Sequence, residues 1–356
     1  MVSLVSVIMP RLDEKPWGGR KLASFGMDLP KAGTIGEALV TADDAVITAG
    51  DGAGRTLGDL VRPDPGGRLG KLGRAAVGGR PIFPLLVKLI DAREHLSIQV
   101  HPDDTQAEAL DRLGKTEAWH VLAADPGGEL FLGLRSGVER AEFTGAATTL
   151  DGSSAGHLRS VPARVGTTVM IPAGTVHALG AGVVVYEIQQ PSDVTFRLDD
   201  WGRVDAAGRP RETHLDQGLT VMRPDLRPEL IGPVRLRAAL GERHLLVACR
   251  YFALERIALP AGAPLELGQR DSPVVLTLLS GEATVGPEAL ATGQSAVIWP
   301  DSEPGIELVA RTPVVALVSS VPDLTRDVVE RARRSGAANR AIADLGGALN
   351  DVGRLL

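Results

Sequence analysis

The 356-residue sequence contains a single cysteine, Cys249, so no disulfide can close within the chain. That cysteine ends the apolar run Leu245–Cys249, where a thiol is expected to be buried and inert. No stretch approaches the ~20 consecutive apolar residues of a membrane-spanning helix, so no membrane partner is expected. Met1–Met9 is mildly apolar but lacks a basic start and a long apolar centre, so a secretory signal is not expected and the cytoplasm is the default location. There is no basic excess either. Lys and Arg number 38 against 44 Asp and Glu, a net charge of −6, which argues against a nucleic-acid partner. A local basic pocket for a phosphorylated ligand remains compatible with that balance. The pairs Gly18-Gly19 and Gly127-Gly128 lack phosphate-loop spacing and read as turns.

What remains is the composition of an ordinary globular protein, 44% hydrophobic and 23% charged. Short strand-like runs dominate. They include Val2–Met9, Ala38–Val40, Ala45–Thr48, Pro84–Ile90, Leu96–Val100, Glu117–Ala123, Glu129–Leu132, Thr167–Ile171, Val183–Gln189 and Val194–Leu198. Turn residues separate them, a rhythm that predicts jelly-roll or barrel architecture rather than βαβ units. A second β block spans about Leu236–Val321. There Gly293–Pro300 echoes Gly166–Pro172, but the following Asp301–Gly305 carries no histidine. The expected fold is therefore mainly β, with two cupin or jelly-roll barrels, short helical segments and a helical C-terminal tail. We expect a metal-binding catalytic domain over 1–200, a short helical connector over 201–234, a degenerate second barrel over 235–321 and the tail over 322–356. Asp51–Gly79, rich in Gly, Pro and Arg, reads as a surface excursion with one helical turn near Thr56–Val61. Asp104–Leu113 and Thr213–Met222 have helical patterns, and Glu139–Phe143 is expected to begin another short helix.

Chemistry concentrates in three segments. Ser97-Ile98-Gln99-Val100-His101 places three polar side chains two apart, hence on one face of a strand. Gly114-Lys115-Thr116-Glu117 adds a cation and a carboxylate, and Ile171-Pro172-Ala173-Gly174-Thr175-Val176-His177 adds a second imidazole. Imidazoles and a carboxylate with an open position suit catalytic Zn²⁺, other divalent ions being compatible. His120 alternates away from Glu117 and reads as structural. Trp17 reads as a packing anchor, and Asp103 and Asp104 as caps of the following helix.

With Lys15–Gly19, Leu85–Asp91, Leu96–Asp103, Gly114–Glu117, Ile171–Ala178, Tyr186–Asp193 and Thr195–Arg203 in this order, the chain resembles the type I mannose-6-phosphate isomerases, in particular their short prokaryotic form. The resemblance spans about Lys15 to Met222. It implies cupin barrels, one zinc per chain, and reversible conversion of mannose 6-phosphate to fructose 6-phosphate. By that resemblance the zinc ligands are Gln99, His101, Glu117 and His177, and Arg197 is the catalytic arginine. Lys88, Ser97, Lys115 and Glu187 fall in or near the substrate pocket.

Aldose–ketose isomerisation moves a proton between C1 and C2 through an enediol(ate), so it needs positive charge beside two oxygens and a base for a carbon-bound proton. Glu187 is one candidate base and a water activated by the metal another. Arg197, Lys88 and Lys115 are each suited to phosphate or to developing negative charge. Two rival readings remain. One is a metal-dependent cupin isomerase or epimerase of another phosphorylated sugar; the other is a non-catalytic sugar-phosphate-binding cupin. A phosphorylated hexose is the expected partner, and the chain is expected to be a monomer or homodimer.

Overall fold

The computed structural model describes residues 4–204, 207–267, 271–300 and 305–356. The beginning of the Val2–Met9 run and residues 301–304 of the Asp301–Gly305 segment lie outside them. In chain order the first half comprises β1 (Val5–Ile8), β2 (Arg11–Gly19), β3 (Ile35–Thr41), β4 (Ile47–Gly50), α1 (Leu57–Val61), α2 (Pro65–Ala76), β5 (Leu86–Ala92), β6 (Ile98–Val100), α3 (Asp104–Glu108), β7 (Glu117–Ala124), β8 (Glu129–Leu134), α4 (Arg140–Ala147), β9 (Leu158–Pro162), β10 (Thr168–Ile171), β11 (His177–Leu179), β12 (Val183–Gln189), β13 (Phe196–Asp199) and α5 (Leu215–Val221). The second half adds β14 (Leu230–Ile231), β15 (Val234–Leu236), β16 (Glu242–Ala248), β17 (Ala253–Leu259), β18 (Pro264–Leu267), β19 (Val274–Ser280), β20 (Glu282–Val285), β21 (Glu288–Ala291), β22 (Ser295–Ile298), β23 (Ile306–Ala310), β24 (Val314–Ser320), α6 (Arg331–Arg334) and α7 (Asn339–Asp344).

The strands form four antiparallel sheets. A seven-stranded sheet, β14-β10-β7-β12-β5-β2-β3, faces a five-stranded one, β13-β6-β11-β8-β9. Trp119, Val121, Leu130, Leu132, Val169 and Val185 pack between them as one core. An eight-stranded sheet, β15-β16-β17-β24-β19-β22-β1-β4, faces a four-stranded one, β18-β23-β20-β21. That pair encloses a second core around Val7, Ile257, Leu276, Ile298 and Leu308. β1 pairs with β22 and with β4, so the start of the chain contributes two strands to the sheet otherwise built by the second half.

β12 shows why the two barrels adhere. Its side chains alternate faces. Val183 and Val185 point into the first barrel, while Val184, Tyr186 and Ile188 join a large core shared with Val247, Val275, Val297 and Leu317 of the eight-stranded sheet. Tyr186 carries its hydroxyl into that shared core, 2.9 Å from Ser319 Oγ, and burial pushes its pKa up to about 12. His120 also faces away from the first barrel's interior and bonds Thr168 Oγ1 at 2.8 Å, the structural position expected for it. Cys249 and Trp17 are buried, as expected.

Two local expectations need correction, and one strand was missed. Asp51–Gly79 is not merely a surface excursion. It folds into α1 and α2, and Leu57, Leu60, Val61, Leu69 and Val77 bury in the shared core. Thr56 and Asp59 form a reciprocal cap on α1, and Asp64 with Pro65 starts α2. Four glycines within α2 obscure the helical period, and Gly70, at φ 63°, kinks the helix. The helix expected over Asp104–Leu113 stops at Glu108; Asp111 takes φ 52°, and the chain doubles back so that Lys115 N–H donates to the Pro102 carbonyl at 3.0 Å. β2 was not anticipated, because Arg11, Asp13, Glu14 and Lys15 break its apolar pattern. The tail is helical as expected. It is largely packed against the body, with Val328, Val329, Ile342, Leu345 and Val352 in the shared core and Asp351 bound by Arg250 at 2.6 Å. Among the described residues, no helix is long and apolar enough to cross a membrane.

Burial lowers the His120 pKa from 6.5 to about 4. Between those values the unfolded chain binds a proton that the folded chain refuses. Stability from this source is complete above about pH 6.5 and declines as pH falls towards about 4, by roughly 3 kcal/mol in all. Urea unfolding at about pH 7 and about pH 4.5 should therefore show a smaller acid loss in His120→Gln than in the wild type. Parallel losses would contradict the assignment.

Candidate metal centre and active site

The geometry follows from strand register. β11, β6 and β13 are neighbours, with His177 opposite Gln99 and Gln99 opposite Arg197. Directly opposed residues share a face, so an imidazole, an amide and a guanidinium form one row across the five-stranded sheet. From the facing sheet, β7 brings Glu117 and Trp119 inward, and β12 brings Glu187 opposite Trp119. His101 follows β6 directly. The turn Pro172–Thr175 delivers His177; Gly174 adopts φ 88°, where a side chain would be strained, and its N–H donates to the His101 carbonyl at 2.8 Å. That bond ties together the two loops carrying the imidazoles.

His101, Glu117 and His177 are all buried, and one ligand atom from each lies within 4.8 Å of the others. His177 Nε2 is 3.2 Å from Glu117 Oε1, and His101 Nε2 is 3.5 Å from Glu117 Oε2. The other ring nitrogens are committed. His101 Nδ1–H donates to the Val194 carbonyl at 2.9 Å, and His177 Nδ1–H donates to the Thr175 carbonyl at 2.8 Å. Both rings therefore turn an Nε2 lone pair toward the carboxylate, whose two oxygens and His101 Nε2 are buried without a hydrogen bond. Lone pairs facing lone pairs repel unless a cation lies among them, so this donor set fits a metal ion. Burial, with the Lys115 charge adding to it, lowers the His101 pKa to about 3 and keeps the ring neutral. Burial alone would raise the Glu117 pKa, but the Lys115 ammonium, 3.2 Å from Oε2, holds it well below the ordinary carboxylate range.

Beside this triad lies a second charged group. Glu187 donates nothing; its Oε2 accepts from Trp119 Nε1 at 2.8 Å, and its Oε1 is 4.0 Å from Lys88 Nζ. Burial and the negative charge of Glu117 raise its pKa. Burial opposes the charge on Lys88, but Glu37 at 3.5 Å and Glu187 prevail and raise its pKa. Lys15, Glu37 and Lys88 line a cavity of ≈ 580 Å³, with Arg11, Arg80 and Arg112 also on its walls.

Of the residues singled out by sequence, Gln99, His101, Lys115, Glu117 and His177 come together directly. Gln99 Nε2 is 3.3 Å from His177 Nε2, and Ser97 Oγ is 3.5 Å from Gln99 Oε1. Arg197 lies on the same row as Gln99. Its Nη1 donates to the Glu212 carbonyl at 2.5 Å, and its Nε is buried without a hydrogen bond. Asp199 and Asp200 do not neutralise it: Asp200 pairs with Arg203 and Arg211, and Asp199 accepts from Gly152, Ser154 and Trp201. Glu187 pairs with Trp119 and Lys88 rather than with Arg197. Sequence reasoning missed Glu37 and Trp119. The signal for Glu37 was a lone acid in the apolar strand β3; that for Trp119 was its place two residues after Glu117.

Residues 7–125 match the family description "Phosphomannose isomerase type I, catalytic domain". The chain is 32% identical over 293 residues to a mannose-6-phosphate isomerase of Streptococcus mutans, covering 80% of this chain and 88% of that protein. Its structure is similar to the crystal structure of mannose 6-phosphate isomerase from Bacillus subtilis, with TM-score 0.75, 27% identity, and coverage of 89% of this chain and 99% of that one. It also shares its fold, at TM-score 0.66, 17% identity and coverage of 89% and 99%, with a mannose 6-phosphate isomerase crystallised with zinc and yttrium. The two-barrel architecture is thus the cupin fold of these enzymes.

The purified protein should hold one divalent cation per chain after exhaustive dialysis. Glu117→Gln should weaken that binding by more than about 100-fold, since even an outer partner of a ligand is worth 10–100-fold. Elemental analysis and competition with a chelating dye measure both. Undiminished binding by the variant would remove Glu117 from the centre.

Proposed function

The chain belongs to the type I phosphomannose isomerase family, and on that premise we propose that it interconverts mannose 6-phosphate and fructose 6-phosphate with the aid of one zinc ion. The observation that carries this reading is the buried His101–Glu117–His177 triad, with its lone pairs converging, beside a carboxylate of raised pKa. We assign the chemistry to the first barrel and take the second as its support. Gln99 is proposed as the fourth protein ligand. When bound, zinc supplies a Lewis acid that polarises the sugar's carbonyl and hydroxyl oxygens.

Glu187 takes the proton from C2 of the open-chain aldose. The C2–H electron pair becomes the C1=C2 bond, and the carbonyl pair moves onto O1. Return of the proton to C1, with O2 losing its hydrogen to become the ketone oxygen and O1 gaining one, gives the ketose with no net oxidation. A raised pKa makes Glu187 a stronger base than an ordinary carboxylate, which suits removal of a weakly acidic carbon-bound proton. Lys115 and Arg197 stabilise the negative charge that develops on the two oxygens. Lys88, Ser97 and the same two cations hold the phosphorylated substrate.

Glu187→Gln should lower kcat for mannose 6-phosphate by about 10²–10⁴-fold with zinc still bound, and Arg197→Ala by about 10²–10³-fold. A coupled assay of fructose 6-phosphate formation measures both. Zinc-loaded, folded wild-type protein that turns over another phosphosugar but not this one would replace the substrate assignment. Full activity of Glu187→Gln would move the base elsewhere.

A further inference from the structure

Trp119 connects the two halves of the site. It stands two residues after Glu117 on β7 and directly opposite Glu187 on β12. The side chain is only 1% exposed, and its ring meets His177 edge-on, with centroids 5.5 Å apart and planes at 73°. A buried indole N–H requires an acceptor, and its immediate surroundings are apolar, including Ile90, Val121 and Val185. The acceptor it finds is Glu187 Oε2, at 2.8 Å. Among the described residues this is the only hydrogen bond to the Glu187 side chain; Lys88, at 4.0 Å from Oε1, is too far to be one. The carboxylate's orientation is therefore set by a tryptophan whose own position is set by packing on a metal-ligating imidazole.

We propose that Trp119 is a positioning residue for the isomerisation: its N–H fixes Glu187 Oε2, leaving Oε1 as the oxygen that meets the substrate carbon. The proposal rests on Glu187 being the base. It separates Trp119 from the surrounding core residues, whose substitution would change stability without acting on one step. An off-target carboxylate costs rate rather than affinity, because misplacement is felt where the proton moves.

Trp119→Phe keeps a ring against His177 and removes the N–H. Its kcat should fall about tenfold with KM changed by less than about twofold, while zinc stays at one per chain. In the Glu187→Gln background the same substitution should have no further effect on kcat. Should the phenylalanine variant not fold, benzothienylalanine at position 119 keeps the bicyclic outline without an N–H donor, and the same losses are expected. Unchanged kcat would overturn the proposal, as would zinc loss that accounts for the fall or a full additional loss in the Glu187→Gln background. If Glu187→Gln alone is fully active, the reading beneath the proposal fails first, and that result is distinguishable from an active Trp119→Phe beside an inactive Glu187→Gln.

Discussion

An ionised carboxylate with no solvent exposure, Glu117, sits between two imidazole nitrogens and a lysine ammonium. Burying such a charge is costly unless it is paired, and Lys115 Nζ, 3.2 Å away, supplies the pairing. Lys115 reaches it because the chain turns back after the short α3. The imidazoles face it because backbone carbonyls of Val194 and Thr175 hold their other nitrogens. A divalent cation bound there would complete the balance, adding positive charge where three sets of lone pairs converge.

The same strand pattern divides structure from chemistry. Along β12 one face, Val184, Tyr186 and Ile188, welds the barrels together, its one polar atom, the Tyr186 hydroxyl, held by Ser319, while the other begins with Val183 and Val185 and ends with Glu187 and Gln189. Along β7, Glu117 and Trp119 face inward, and Ala118 and His120 face outward. A polar site inside a barrel is possible here because the outward faces bury enough apolar surface to hold the strands without it. Charges in the site are arranged in alternating sign: Lys15, Glu37, Lys88, Glu187 on one side and Lys115, Glu117 on the other. Removal of Lys115 would leave the Glu117 charge buried without its nearest opposite charge.

Much of this was legible in the sequence. The two-residue spacing of Gln99 and His101, the Lys115–Glu117 pair and the turn before His177 carried the site. Strand rhythm carried the β architecture. What escaped did so for physical reasons. The helices within Asp51–Gly79 are short and glycine-rich, and their burial depends on partners distant in sequence. α3 ends early because the chain turns back, with Asp111 at φ 52° and the Lys115 N–H on the Pro102 carbonyl, an arrangement that local periodicity does not express. Glu37 and Trp119 belong to the site through cross-strand register, which their local signals, a lone acid in β3 and a place two residues after Glu117, do not specify. The pairing of β1 with β22 is of the same kind.

The central claim is that a metal held by the His101–Glu117–His177 triad drives isomerisation of mannose 6-phosphate. The most direct test follows fructose 6-phosphate formation by the purified protein before chelation, after chelation, and after zinc is restored, with circular dichroism recorded throughout. The account predicts activity lost on chelation and regained with zinc while the fold persists. Undiminished turnover by folded, metal-free protein would contradict it.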